Sequence, residues 1–200
     1  MTDSRTGSTA PLARDYRAAM LAAGGRTFRW GDRTLVMGII NATPDSFSGD
    51  GILGHPELAA RLARQFEAAG ADMLDLGGES SRPGASPLGP EEELARVLPA
   101  LVAIREASTL PVSIDTYHAS VARAAISEGA TIVNDIHGMQ FDPDMAGVIA
   151  DTGAVIVAMH NQRGREFHDV IGDIRAGFEH SLCIARDAGI DDSCVILDPG

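Results

Sequence analysis

The sequence predicts a parallel α/β fold in which strands and helices alternate along the chain. Six short apolar runs, rich in leucine and β-branched residues, are nearly continuous, as is typical of strands buried on both faces of a sheet. Between them, apolar residues recur at three- and four-residue steps, which indicates helices. The predicted strands are Leu35–Ile40, Met73–Leu76, Val112–Ile114, Thr131–Val133, Ala154–Ala158 and Cys194–Leu197.

Helix boundaries follow from proline, glycine and charge. Pro56 begins the first predicted helix, and Glu91–Glu93 begin the second, at the end where the helix dipole favours anions. Pro99 lies within the second helix and predicts a kink. Each helix is expected to end at a glycine, because glycine readily adopts the left-handed conformation that terminates helices. The alternating order predicts a parallel sheet with right-handed crossovers.

Two layouts fit this order, an open doubly wound sheet and a (β/α)8 barrel. The loop after the first strand contains no GxGxxG pattern, which disfavours a dinucleotide-binding sheet. Residues 1–26 are expected to form an N-terminal tail or helix, and residues 27–200 the α/β domain. At its start, Thr27–Thr34 predicts a hairpin with a turn at Gly31–Asp32, which would close the bottom of a barrel.

Composition excludes several classes of function. The net charge of −12 argues against a nucleic-acid-binding protein, and no apolar run reaches the ~18 residues of a membrane span. The chain contains no lysine, so it has no Schiff-base or phosphate-binding lysine. Its two cysteines, Cys183 and Cys194, lack CxxC spacing and indicate reduced thiols in a cytoplasmic protein.

Polar side chains accompany the carboxyl end of every predicted strand. A single Asp or Asn at such a place usually caps a helix or forms a turn. Six coincident cases favour an active site instead, because the carboxyl ends of the strands of a parallel barrel converge on one mouth where ligands bind. These six residues are Asn41, Asp75, Asp115, Asn134, His160 and Asp198.

The chemical groups of these side chains indicate which class of ligand the site would bind. The carboxylate and amide groups of Asp115, Asn134 and Asp198 complement a 2-amino-4-oxo-pyrimidine ring, as in guanine or pterin, which presents paired N–H donors and a carbonyl. Asn41 and the aspartates offer the hard oxygen ligands that suit Mg²⁺ beside a phosphate. Arg82 lies in a stiff, proline-containing loop and is expected to bind an anion.

Several stretches resemble the dihydropteroate synthase family, and the resemblance extends from about Val36 to Gly200. It implies a TIM (β/α)8 barrel and a transferase of folate biosynthesis. Such enzymes condense 6-hydroxymethyl-7,8-dihydropterin diphosphate with 4-aminobenzoate, giving 7,8-dihydropteroate and diphosphate, with Mg²⁺ as cofactor. A homodimer is also implied. The stretches that carry the resemblance are 37–48, 75–84, 113–116, 134–136 and 197–200.

The resemblance also implies roles for individual residues. The residues expected to line the pterin pocket are Asp75, Asp115, Asn134, Met159 and Asp198. Those of a first loop at the mouth are Thr43, Pro44, Asp45 and Phe47. Those of a second loop, near the aminobenzoate, are Ser81, Arg82 and Pro83. Asn41 is expected to contact Mg²⁺ and the diphosphate. Asp45 and Arg82 are the expected catalytic residues.

The sequence also departs from the family pattern. Only six of the eight βα units of such a barrel are present, and the lysine of the seventh strand and the arginine and histidine of the eighth have no counterpart. A chain truncated after the sixth strand is expected to fold poorly and catalyse little. Gly49–Gly51 and Asn161 also differ from the family, which keeps a non-catalytic pterin-binding paralogue open. A pterin-dependent methyltransferase is disfavoured by the motif 81–84.

Overall fold

A computed structural model of the chain describes residues 20–43, 53–79, 87–161 and 169–200. The described residues contain a two-stranded antiparallel hairpin and a six-stranded parallel sheet. The hairpin strands are β1 (Met20–Ala23) and β2 (Arg26–Arg29). The strands of the sheet are β3 (Met37–Asn41), β4 (Met73–Gly77), β5 (Val112–Asp115), β6 (Ile132–Asp135), β7 (Val155–Met159) and β8 (Val195–Asp198).

One helix follows each of the first five strands of the sheet. They are α1 (Pro56–Ala68), α2 (Pro90–Ala107), α3 (Ala119–Ser127), α4 (Met145–Thr152) and α5 (Val170–Asp187), and a short 3-10 turn, Asp192–Cys194, precedes β8. Strands neighbour one another in chain order from β3 to β8, without the reversal that defines a doubly wound sheet. This sequential parallel order is that of a (β/α)8 barrel and confirms the predicted fold class.

The strand predictions are confirmed, with shifts of a residue or two at their ends. The helix ends agree in most cases, because Gly70, Gly129, Gly153 and Gly189 follow α1, α3, α4 and α5 with positive φ angles of 68° to 101°. The second helix is the exception. It continues through Pro99 and ends before Ser108, which is extended, so no glycine is needed there.

The amino-terminal region differs from its prediction. The hairpin begins at Met20, so residues 20–26, predicted to belong to a tail or helix, form β1, the turn and the first residue of β2. The turn lies at Gly24–Gly25 rather than Gly31–Asp32. Both glycines have positive φ, 56° and 74°, as a tight hairpin turn of matching twist requires. Residues 1–19 lie outside the described residues.

The hairpin closes the amino end of the sheet, as predicted. Leu21 and Phe28 are buried against Met73, Ile132 and Val155, the first residues of β4, β6 and β7. Beyond the hairpin, Arg33 donates to both carboxylate oxygens of Asp72, and the Val36 N–H donates to the same group at 2.8 Å. These bonds fix the segment immediately before β3 to the residue immediately before β4.

A second apolar layer lies between the sheet and the helices. Alternate strand residues, among them Ile40, Leu76 and Ile156, are fully buried against it. Gly38 allows β3 and α1 to approach closely, because a Cβ atom there would lie 2.6 Å from the Phe66 ring of α1. Because these alternate residues pack against the helices, the intervening residues of each strand face the interior of the barrel.

We expect Leu21→Ala to lower the free energy of unfolding of the full-length protein by about 2–5 kcal/mol, because the side chain is only 1% exposed between the hairpin and the sheet. Met20→Ala is the matched control. Met20 is 53% exposed on the same strand, and its loss should change stability by less than about 0.5 kcal/mol. Urea denaturation measures both, and equal effects would contradict the role assigned to the hairpin.

Candidate functional site

The candidate site is built on one row of residues across the sheet. Asn41 pairs with Gly77, Gly77 with Asp115, and Asp115 with Asn134, each on the next strand. Because paired residues of parallel strands face the same side, the side chains of Asn41, Asp115 and Asn134 line the barrel interior at one level. Asp75, two residues before Gly77, lies in the same interior one level lower.

Asp75 is a buried carboxylate that is only half satisfied. It is 6% exposed, and its Oδ2 accepts a hydrogen bond from Asn134 Nδ2 at 3.2 Å. Its Oδ1 has no hydrogen-bond partner among the described residues. Burial raises the pKa of Asp75, and the neighbouring Ser113 hydroxyl and the Asn134 amide oppose that rise. A buried, unpaired acceptor oxygen of this kind is available to a ligand that brings a donor.

Asp115 is the second acid of the site whose pKa is raised. Burial raises the pKa of its carboxyl group to about 8, with repulsion from Asp75 and from three further acids adding to the rise. Its Oδ2 would lie 3.4 Å from a Cβ atom at position 77, and Asn41 Oδ1 would lie 3.8 Å from the same atom. Gly77 therefore leaves open the space where the Asn41 and Asp115 side chains converge.

The far side of the interior is formed by β7 and β8. Met159 pairs with Asp198 across these strands, and the His160 N–H donates to the Asp198 carbonyl at 2.8 Å. Asp198 Oδ1 accepts from the Gly200 N–H, so this carboxylate also forms a turn. A groove of about 490 Å³ runs from Met159 and His160 to α5, beside the interior rather than within it.

The structure brings together only some of the residues named from sequence. Asn41, Asp75, Asp115 and Asn134 form one cluster, with Met159 and Asp198 on strands beyond it. Thr43 is buried immediately after β3. His160 also lies at a strand end as predicted, but its ring packs toward α5, where a Cβ atom at Gly177 would meet it at 2.1 Å. The predictions for Pro44, Asp45, Phe47, Ser81, Arg82 and Pro83 lie outside the described residues.

Two further buried acids, which the sequence did not identify as site residues, lie near the mouth of the barrel. Asp135 is 1% exposed, and its carboxylate accepts the N–H groups of His137 and Met139 at 2.8 and 2.7 Å. Burial raises the pKa of Asp135, and these hydrogen bonds oppose the rise. Gly138 and Met139 both have positive φ, so the loop is a tight turn wound around Asp135. The glycine at 138 was the available signal.

Glu93 is the second of these acids. In the sequence it is one of three charges at the start of α2 that the helix dipole favours, but its side chain is only 1% exposed. Its Oε2 lies 2.7 Å from His118 Nδ1. Burial raises the pKa of Glu93, while the hydrogen bond with His118 lowers it. The pair joins α2 to the loop after β5.

Metal binding is not evident from protein groups alone. Within the described ranges no cluster of three or more His, Cys, Asp or Glu side chains is suited to hold a metal ion. Asn41 Oδ1 and Asp115 Oδ2 are nonetheless oxygens of the hard type and lie on one side of Gly77. Mg²⁺ commonly binds through one or two such oxygens, with substrate phosphates and water completing its shell. The residues present therefore fit a substrate-bound magnesium ion.

Sequence comparison with known proteins finds a matching family and relatives of high identity. Residues 37–200 match the family described as pterin binding enzyme. The dihydropteroate synthase of Clostridium beijerinckii is 44% identical over 177 residues, covering 88% of this chain and 66% of that protein. The Bacillus subtilis dihydropteroate synthase is 44% identical over 169 residues, covering 84% of this chain and 59% of the relative. The chain thus spans less than two thirds of the length of these relatives.

Solved structures of dihydropteroate synthases are also similar to this chain. A Clostridium difficile dihydropteroate synthase crystallised with pteroic acid has a TM-score of 0.81 at 42% identity, covering 86% of this chain and 66% of that one. A Burkholderia cenocepacia dihydropteroate synthase complexed with 7,8-dihydropteroate has a TM-score of 0.78 at 38% identity, covering 91% and 63%. No helix in the described part of this chain has the length and apolar character needed to cross a membrane.

We expect Asp115→Asn to gain stability relative to the unsubstituted protein as pH rises from 5 to 8. The raised pKa means that folded Asp115 keeps its proton up to about pH 8, whereas the unfolded residue loses it near pH 4. Folding is therefore disfavoured progressively as pH rises through this window, by at most about 1.4 kcal/mol per pH unit. Asparagine does not titrate. Urea denaturation across the range measures the difference, and a difference independent of pH would refute the raised pKa.

Proposed function

The chain belongs to the pterin binding enzyme family, and we propose that it is the pterin-binding part of a dihydropteroate synthase. The proposed reaction joins 6-hydroxymethyl-7,8-dihydropterin diphosphate to 4-aminobenzoate. The observation that carries the proposal is the interior row of Asn41, Asp115 and Asn134 above the half-satisfied carboxylate of Asp75. The 38–44% identity to dihydropteroate synthases supports it.

We propose that Asp115 and Asn134 recognise the pterin ring. The 2-amino group and the neighbouring ring N–H are two adjacent donors, and a carboxylate accepts two such bonds side by side. We assign this role to Asp115. Asn134 offers both a donor and an acceptor, so it can bond a ring nitrogen while its Nδ2 stays near Asp75. Met159 and Asp198 are proposed to complete the pocket.

The proposed chemistry is a displacement at the exocyclic methylene carbon of the pterin. The bond from this carbon to the diphosphate oxygen breaks, and its electron pair leaves with diphosphate. The amine nitrogen of 4-aminobenzoate forms the new C–N bond and loses a proton. Positive charge developing on the pterin during C–O cleavage is stabilised by the oxygen atoms of Asp75 and Asp115, which the strands hold in place and which need no reorganisation.

The departing diphosphate requires a positive partner. When bound, Mg²⁺ supplies Lewis-acid stabilisation of the phosphate oxygens. Asn41 would hold it through Oδ1, at the end of β3. Arg82 is proposed to bind the aminobenzoate carboxylate, with Ser81 and Pro83 beside it, and the segment Thr43–Phe47, including Asp45, to border the reacting groups. The proposed enzyme is a cytoplasmic homodimer that binds neither nucleic acid nor membrane, and sedimentation of the full-length protein tests the dimer.

We expect Asp115→Ala to weaken binding of the pterin diphosphate by about 2–3 kcal/mol, roughly 30- to 150-fold, because it removes the proposed acceptor of two hydrogen bonds, whose ionised form the two N–H donors of the bound ring favour. Isothermal titration calorimetry on the full-length protein measures this. Asp151→Ala removes an exposed carboxylate of α4 that pairs with Arg123, and serves as the control with unchanged affinity. Unchanged affinity of the Asp115 variant would refute the assignment.

Arg82→Ala separates the two substrates. If Arg82 binds the aminobenzoate carboxylate, the variant should retain the pterin affinity of the unsubstituted protein and show a KM for 4-aminobenzoate raised at least tenfold, the scale of one charged hydrogen bond. Steady-state assay with calorimetry gives both numbers. Equal loss for both substrates would count against the assignment, and pterin binding by the unsubstituted protein without product would favour a non-catalytic paralogue.

A further inference from the structure

One glutamate joins both ends of the connection between β4 and α2. Glu79 lies just after β4, and its Oε2 accepts a hydrogen bond from the Leu88 N–H at 3.1 Å. The same oxygen accepts a second bond from the Tyr117 hydroxyl at 2.8 Å. Glu79 and Leu88 bracket residues 80–87 in the sequence, and Tyr117 follows Asp115 by two positions. A single atom thus ties this connection to the end of β5.

The groups that form this junction are themselves fixed. The Gly78 carbonyl, next to Glu79, accepts a bond from Arg96 of α2 at 3.2 Å. On the other side, the buried Glu93 of α2 holds His118, the neighbour of Tyr117, at 2.7 Å. Two parallel ties therefore join the β4–α2 region to the β5–α3 loop, one through Glu79 and one through Glu93.

The tyrosine is oriented by aromatic contacts as well as by its hydroxyl. Its ring centroid lies 4.4 Å from that of His118 and 4.9 Å from that of Phe141, and the edge of His137 packs at 5.2 Å. Burial raises the pKa of the Tyr117 hydroxyl, and its hydrogen bond to Glu79 raises it further. The group therefore remains a donor throughout the neutral range, and Glu79 receives it as an acceptor.

We propose that Glu79 and Tyr117 are positioning residues for the second substrate. The inference rests on the proposed function, in which the residues between Glu79 and Leu88 serve the aminobenzoate. The junction sets where both ends of that connection stand relative to Asp115, and so relative to the bound pterin. Because neither residue belongs to the interior row, losing the junction should affect the nucleophile and spare the pterin.

The test is Tyr117→Phe in the full-length protein, which removes the hydroxyl and keeps the ring. We expect the KM for 4-aminobenzoate to rise roughly three- to tenfold, the scale of one lost hydrogen bond, while the pterin affinity measured by calorimetry stays within about twofold. Glu79→Gln keeps an accepting oxygen and should fall between the unsubstituted protein and Glu79→Ala. This graded rescue distinguishes positioning from a general loss of structure.

Hydrogen exchange provides a readout that is independent of activity. The amide of Leu88 is donated to Glu79, so its exchange should accelerate in Tyr117→Phe and more strongly in Glu79→Ala. Thr109→Val is the matched control, since Thr109 also donates a hydroxyl to a glutamate at 2.8 Å, to Glu67, but near the start of β5. It should change neither KM nor the exchange of Leu88.

The outcomes separate the two proposals. A raised aminobenzoate KM with unchanged pterin affinity supports the positioning role. An unchanged aminobenzoate KM in both Tyr117→Phe and Glu79→Ala overturns it, and so does equal weakening for the two substrates. Absence of product from the unsubstituted protein overturns the proposed function and the substrate role of the junction together. In that case unaltered Leu88 exchange in the variants would also refute the junction as a structural tie.

Discussion

The in-register parallel pairing of β3 to β6 is the constraint on which the site depends. It places Asn41, Gly77, Asp115 and Asn134 in one row, and the alternation of strand residues turns that row toward the barrel interior. A slip of one residue in any strand would exchange the polar row for apolar residues such as Leu76 and Ile114, which are fully buried against the helices. The apolar packing that stabilises the sheet therefore also fixes the acids.

Holding two acids close together inside a protein is costly, and the surrounding structure supplies the compensation. Asp75 keeps one hydrogen bond, from Asn134, and Asp115 takes a pKa of about 8. Such acids give up free energy in the unliganded protein that a ligand with N–H donors restores. The neighbouring acids Asp135 and Glu93 are instead satisfied within the protein, by backbone N–H groups and by His118. This contrast separates the acids that we propose to bind the ligand from those whose role is structural.

Much of the fold and part of the site could be predicted from the sequence. Continuous apolar runs identified all the strands of the sheet, and their polar carboxyl ends identified Asp75, Asp115 and Asn134, because one periodic signal determines both. The hairpin turn was placed wrongly, since a Gly-Gly pair at 24–25 is a stronger turn signal than Gly31–Asp32. The burial of Glu93 and Asp135 could not be predicted, because it depends on packing between elements far apart in the chain, which local pattern does not reveal.

A crystal structure of the full-length protein with 6-hydroxymethyl-7,8-dihydropterin diphosphate and Mg²⁺ would show directly whether the interior row binds the pterin ring. We expect the 2-amino group and the adjacent ring N–H to lie within about 3 Å of the Asp115 carboxylate oxygens, with Asn134 bonded to the same ring. A ring bound elsewhere, for example in the groove between His160 and α5, with Asp115 left in contact with water alone, would contradict it.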